Sequence, residues 1–194
     1  AGILDTFALL PANVLWFDYR GVGVSGQIDK LELQDLQSDA LAVYDMAEKN
    51  LPRNIPTALH GISMGSVLAT YVGNVRDIDA LVLDGAISTV PALVEALVPS
   101  WSKTFATINV APELAEIDNI AQIKRYKNPL LFLVGTEDDI TPVSFSKALY
   151  SESPSADKTL VVIPEGTHGR SMKSKEAIDA YLSFIEKLAC CQAG

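Results

Sequence analysis

The stretch Leu59-His60-Gly61-Ile62-Ser63-Met64-Gly65-Ser66 decides how the rest of the chain is read. A short apolar run at 57–59 leads into it, and a helix-like segment at 66–72 follows. Gly-x-Ser-x-Gly at a sharp strand-to-helix turn is the nucleophile-elbow pattern, which lifts a serine hydroxyl above a sheet on a strained backbone. Gly61 and Gly65 suit such a turn because a Cβ at either place would collide with the neighbouring strand or helix. The helix starts beneath Ser63, so its N-terminal amides and dipole favour negative charge developing there. An ordinary Gly-rich turn has the same local signature, so the flanking chain has to discriminate.

Before the elbow, residues 2–10 show helical spacing and Val14-Leu15-Trp16-Phe17 reads as a buried strand. That strand runs into a polar loop, Asp18-Tyr19-Arg20-Gly21-Val22-Gly23-Val24-Ser25, and a long helix is expected over 31–50, ended by Pro52. After the elbow, strands are expected at 80–87, 129–134 and 159–163, and helices at 143–150 and 174–190. Residues 88–127 differ, being short amphipathic pieces broken by Pro91, Pro99 and Pro112 around Trp101 and Phe105. About five strands alternating with helices predict a doubly wound, mostly parallel α/β sheet covered on both faces, with 88–127 as a short helical insertion. In such sheets ligands sit outside the carboxyl ends of the strands, where the polar, Gly-containing loops of this chain fall.

The chain of 194 residues is long enough for one domain with a substantial core, and no repeat or linker divides it. No apolar run approaches the roughly 18 residues of a membrane span. A net charge of −9 argues against nucleic acid or an anionic membrane surface, because phosphate binding needs clustered Lys and Arg. Cys190 and Cys191 are adjacent and nearly terminal, which suits neither a disulfide framework nor a metal site.

A serine hydroxyl is a poor nucleophile until a base takes its proton and a third group holds that base. The chain has two histidines. His60 ends a buried strand just before the elbow and reads as a packed or hydrogen-bonded neighbour. His168 sits on a Gly-flanked loop after the last strand and is the candidate base. Glu137, Asp138 and Asp139, on the loop after the preceding strand, are the candidate orienting acids. The chain order Ser, acid, His is the one expected for an elbow on this kind of sheet.

Four motifs in this order, Asp18-Tyr19-Arg20-Gly21-x-Gly23-x-Ser25, His60-Gly61-x-Ser63-Met64-Gly65, Gly135-x-x-Asp138-x-x-x-Pro142 and Gly166-x-His168-Gly169, together resemble the α/β-hydrolase superfamily. They look most like its serine esterase and lysophospholipase-like branch, and the resemblance covers essentially the whole chain. It implies Ser63 as nucleophile, His168 as general base and Asp138 as its partner, since Asp138 is the fourth residue counted from Gly135. Asp139 is the fallback. The resemblance also implies that the 18–25 loop braces the floor of the site and that 88–127 is a cap. One oxyanion-hole amide would come from Met64, the residue after the nucleophile.

The family places three strands before the one expected at 14–17, and the third ends in a loop that supplies the second oxyanion amide. That third strand lies between the 14–17 strand and the elbow strand, and this sequence has no counterpart. The expectation is therefore a single α/β-hydrolase domain spanning 1–194 that is N-terminally incomplete, either a truncated product or the ordered portion of a longer polypeptide. The implied activity is hydrolysis of carboxylic esters through an acyl-enzyme on a small-molecule substrate, with no metal or organic cofactor. A cap of about forty residues, with Val90, Leu93, Val94, Leu97, Val98, Trp101 and Phe105, points to short- or medium-chain acyl groups, although packing alone accounts for most of these side chains. Amide or peptide hydrolysis by the same triad is the runner-up. A catalytically idle relative used for binding is the rival of a different class.

Overall fold

The two most apolar runs, ALVLD and LLFLVG, form the central strands of a four-stranded sheet and are buried along their whole length. In the computed structural model the described residues are 6–7, 10–26, 28–52, 55–99, 101, 105 and 109–191. The strands β1 (Ala58–Ile62), β2 (Ala80–Asp84), β3 (Leu130–Gly135) and β4 (Lys158–Ile163) lie in chain order, and every neighbouring pair is parallel. Leu83 sits opposite Phe132, and Phe132 opposite Leu160.

Strand pleating divides the core into two layers, since alternate side chains point to opposite faces. On one face Leu81, Leu83, Leu130 and Phe132 pack against α1 (Leu33–Asn50), α2 (Met64–Val75), α5 (Asn119–Ile123) and α6 (Val143–Glu152). On the other, Ala80, Val82, Leu131 and Leu133 meet α7 (Lys175–Cys191) through Ala177, Tyr181, Phe184 and Leu188, joined by Phe7, Leu10 and Met172. Helices thus cover both faces, as the alternating pattern predicts. Each fully buried Leu or Phe contributes roughly 1.5–3 kcal/mol relative to exposure.

The strand expected at 14–17 does not form. This segment joins no ladder, and Val14, Leu15 and Trp16 are each about half exposed. Four strands, not five, are therefore present among the described residues. An apolar run becomes a strand only where a neighbour takes its N–H and C=O groups and covers its side chains. Among the described residues no strand pairs with the outer side of β1, which is an edge of the sheet. A cavity of about 480 Å³ opens at that edge, lined by Trp16, Tyr19, Tyr44, His60 and Tyr181 among others. The helix expected at 2–10 falls largely outside the described residues.

Short polar contacts hold the helical layers to the turns. Glu32 and Asp35 form a reciprocal capping box at the start of α1. Arg20 ties the 18–25 loop to the same helix, with Nη1 2.8 Å from Asp35 Oδ1 and Nε 2.6 Å from Asp39 Oδ2. The hydrogen bond from Arg20 holds the Asp39 carboxyl below the usual carboxylate range. Arg76, at the end of α2, clasps Asp45 of α1 in a two-pronged contact.

The insertion begins as α3 (Val90–Leu97), capped by Thr89 Oγ1, and continues through the short α4 (Pro112–Ala115) into α5. A bridge between Thr89 and Asp118 and a bond from Asn119 Nδ2 to the Ile87 carbonyl fasten its two ends together. Val90, with Leu93 and Val94, packs on Val67, Ile87 and Ile117, whereas Leu97, Trp101 and Phe105 are exposed.

At the ends of β3 and β4 two glycines bring backbone against backbone. A Cβ on Gly135 would overlap the Gly166 carbonyl and lie 2.8 Å from the Gly166 Cα. Gly135→Ala is expected to lower the unfolding free energy by roughly 3 kcal/mol, the upper end of overpacking costs, because only backbone is available to move. Urea unfolding followed by tryptophan fluorescence checks this.

Candidate active site

Ser63 has φ 53 and ψ −119, a left-handed backbone that residues with a Cβ rarely adopt and that costs on the order of 1–3 kcal/mol. The surroundings over-determine it. The Ser63 amide donates to the Asp84 carbonyl at 3.0 Å, extending the β1–β2 ladder into the turn. The Ser63 carbonyl accepts from the Ser66 amide at 2.9 Å and the Ser66 hydroxyl at 2.6 Å, and Ser66 Oγ accepts from the Ile87 amide. A Cβ on Gly61 would strike the Gly65 carbonyl and approach the Ser66 Cα to 2.7 Å, so glycine is what lets α2 start so close to β1. Ser63 is the N-cap of α2 and Met64 its first residue. The Met64 amide therefore belongs to the first helical turn, where N–H groups lack intrahelical acceptors.

Asp138 and His168 meet directly. His168 Nδ1 lies 3.0 Å from Asp138 Oδ1 and 2.9 Å from Oδ2. Asp138 is buried and its carboxylate also accepts from the Ile140 amide (3.1 Å), the Thr141 amide (2.7 Å) and the Thr141 hydroxyl (2.8 Å). The tight turn that creates these bonds follows from the close Gly135–Gly166 approach. There the Thr136 amide reaches the Ile163 carbonyl and the Glu137 amide the Gly166 carbonyl, both at 2.9 Å. Glu137 and Asp139, the other acids of the loop, are exposed. A carboxylate at Nδ1 selects the tautomer with its proton there and leaves Nε2 as the acceptor in the neutral ring.

The elbow and the histidine loop are neighbouring turns. Ile62 Cγ2 stands 3.8 Å from the position of a Cβ on Gly169. Gly85, one residue after the Asp84 carbonyl that holds Ser63, faces the pair from below with φ +52. A Cβ there would fall 3.0 Å from Thr141 Oγ1, 3.1 Å from Asp138 Oδ2 and 3.3 Å from His168 Nδ1. Among the described residues no hydrogen bond joins Ser63 to His168. Such contacts often tighten only when substrate binds.

His60 is the packed neighbour that its position predicts. Its ring stacks edge-on against Phe7 at 5.1 Å and lies 5.5 Å from Tyr181, with Nε2 3.8 Å from Asp84 Oδ2. Asp84 is fully buried and accepts from the Ser171 hydroxyl at 2.5 Å. Burial, with the Asp84 charge second, pushes the Tyr181 phenol well above its ordinary range. None of the four motifs assigns a role to Asp84, Ser171 or Thr141. A lone acid ending the apolar run Ala80-Leu81-Val82-Leu83-Asp84 was the available signal for the first. The contacts of Ser171 with Asp84, 87 residues away, and of Thr141 with His168, 27 residues away, leave no local trace. The 18–25 loop touches the elbow through Tyr19, whose hydroxyl would be 3.7 Å from a Cβ on Gly65. The cavity beside β1 is bounded by Gly65 but not by Ser63, Asp138 or His168. Among the described residues no group of three His, Cys, Asp or Glu is arranged to hold a metal ion, and no helix is long and apolar enough to cross a membrane.

Curated and solved proteins resemble this chain along most of its length. The α/β-hydrolase domain-containing protein WAV2 of Arabidopsis thaliana is 28% identical over 93% of this chain and 62% of its own length. Human protein ABHD12B is 27% identical over 90% of this chain and 52% of its own length. The chain thus spans between about half and two thirds of these curated relatives. Among solved structures, the Pyrococcus furiosus esterase PF2001 superposes with a TM-score of 0.69 at 19% identity, covering 88% of this chain and 68% of the esterase. An acylaminoacyl peptidase of Pyrococcus horikoshii superposes at 0.60 and 18% identity, over 79% of this chain and 27% of the peptidase. The family model described as serine aminopeptidase, S33, matches residues 2–116 and 114–172. With a parallel sheet, an elbow at the end of β1 and acid and histidine loops after β3 and β4, the chain belongs to this hydrolase family of the α/β-hydrolase superfamily.

Proposed function

We propose that this chain carries the centre of a serine hydrolase that cleaves carboxylic esters of short- to medium-chain acyl groups. The observation that supports it most is the Asp138–His168 pair, held at 2.9 Å beside a serine in strained backbone. Ser63 Oγ bonds to the ester carbonyl carbon while His168 Nε2 takes the hydroxyl proton. The resulting oxyanion accepts from the Met64 amide at the start of α2. Collapse breaks the bond to the alcohol, which leaves with the proton from His168, and water then repeats the sequence to free the acid and Ser63. Asp138 holds the imidazole in its reactive tautomer and steadies the imidazolium charge. The lysophospholipase-like resemblance of the motifs supports an ester substrate with an acyl chain.

Amide hydrolysis is a second reading, favoured by the description of the matched family as serine aminopeptidases. The same attack on an amide differs only in the amine that leaves. Ratios of kcat/KM on matched ester and amide substrates separate the two.

We also propose that residues 88–127 act as the cap and that further strands of a longer polypeptide complete the sheet at β1. The exposed Val14, Leu15 and Trp16 and the unpaired edge support the latter reading. In a polypeptide extended toward the N-terminus, amide exchange at the outer edge of β1 is expected to slow. Unchanged exchange would count against it.

Ser63→Ala is expected to reduce p-nitrophenyl butyrate hydrolysis to background and to abolish labelling by a fluorophosphonate probe. Hydrolysis that survives the substitution overturns the nucleophile assignment, and a native chain that neither hydrolyses nor labels supports the idle, binding alternative. Asp138→Asn is expected to lower kcat roughly 10³–10⁴-fold by presenting the wrong tautomer, with the same substitution at Asp139 nearly silent.

A further inference from the structure

His168 Nδ1 has a third oxygen within reach, and it belongs to Thr141. The Thr141 hydroxyl lies 3.0 Å from Nδ1, level with Asp138 Oδ1 at 3.0 Å and 0.1 Å beyond Oδ2 at 2.9 Å. It also donates to Asp138 Oδ2 at 2.8 Å, and the Thr141 amide donates to Oδ1 at 2.7 Å. A hydroxyl has one proton. With that proton committed to the carboxylate, its lone pairs are what faces the imidazole, so Thr141 accepts a share of the Nδ1–H that Asp138 also receives.

Thr141 is fully buried, and Gly85 packs against the cluster, where a Cβ would come within 3.0 Å of Thr141 Oγ1, 3.1 Å of Asp138 Oδ2 and 3.3 Å of His168 Nδ1. A buried hydroxyl bridging both members of an acid–histidine pair fixes the carboxylate rotamer and the ring plane together.

We infer that Thr141 is a positioning residue for the Asp138–His168 pair, acting through its hydroxyl and not through its bulk. This rests on the reading of His168 as the general base. The hydroxyl anchors the carboxylate from the side that the two loop amides leave open and keeps the Nδ1–H directed between the acid and itself. Its effect reaches the substrate only through the direction in which Nε2 points.

The variants Thr141→Val and Thr141→Ser separate hydroxyl from bulk. Val keeps the shape and removes the hydroxyl, whereas Ser keeps the hydroxyl and removes a methyl. Expected for Val is a kcat on p-nitrophenyl butyrate lowered about 10- to 100-fold with KM unchanged, the cost of a misdirected base. Ser is expected to stay within about threefold of the native chain. Should the Val variant fail to fold, Thr141→Ala takes its place, because Ala and Ser differ by the hydroxyl alone. A turnover-independent readout comes from ¹⁵N spectra of the His168 ring. Nδ1 should be uniformly protonated in the native chain and in Ser, and mixed between Nδ1 and Nε2 in Val or Ala. If the native chain proves inactive, the esterase reading fails while the ring spectra still decide the role of Thr141. A Val or Ala variant with native kinetics and native tautomer, or a Ser variant as impaired as Val, overturns the inference.

Discussion

Where Gly135 meets Gly166, main chain lies against main chain, and the geometry of the site depends on that approach. Without it the loops after β3 and β4 would be two independent surface turns. With it the Glu137 amide binds the Gly166 carbonyl, the turn at 135–138 tightens, and Asp138 is carried under His168. Backbone contact of this kind is stiff because no rotamer can relax it. A side chain anywhere in the contact would move Asp138 away from His168.

The elbow follows the same logic on the neighbouring pair of strands. Gly61 lets the first turn of α2 press on β1, and the Asp84 carbonyl captures the Ser63 amide. Asp84 then links the two halves of the site. Its backbone holds the serine turn, and its side chain accepts from Ser171, three residues beyond His168. The register of β1, β2 and β3 thus reaches Ser63 and Asp138 through short covalent paths, which fixes their geometry in advance of any ligand. The strain at Ser63 is sustained by this framework.

Chemistry and packing divide the chain unevenly. The sheet core and α2 concentrate the buried side chains, while the edge at β1 and the exposed Leu97, Trp101 and Phe105 leave apolar surface uncovered. Membership of a hydrolase family is compatible with several leaving groups, and the solved relatives include an esterase and a peptidase on the same fold. Fold alone does not choose between them. The choice rests on what lies above Ser63.

Much of the design is local and therefore legible in the chain itself. Apolar runs long enough for buried strands, helical periodicity between them and Gly-containing loops at the strand ends specify the doubly wound sheet. The same patterns put Ser63, Asp138 and His168 on three separate turns at one end of it. The chain alone also separates His60 from His168, because one ends an apolar strand and the other sits between glycines. Only the tertiary structure decides what depends on distant partners. Val14 to Phe17 has the composition of a strand and is not one, because pairing needs a neighbour and composition cannot provide it. The Thr141 hydroxyl and the Asp84–Ser171 bond were invisible for the same reason: their meaning lies in contacts 27 and 87 residues away, created when parallel register brings loop ends together.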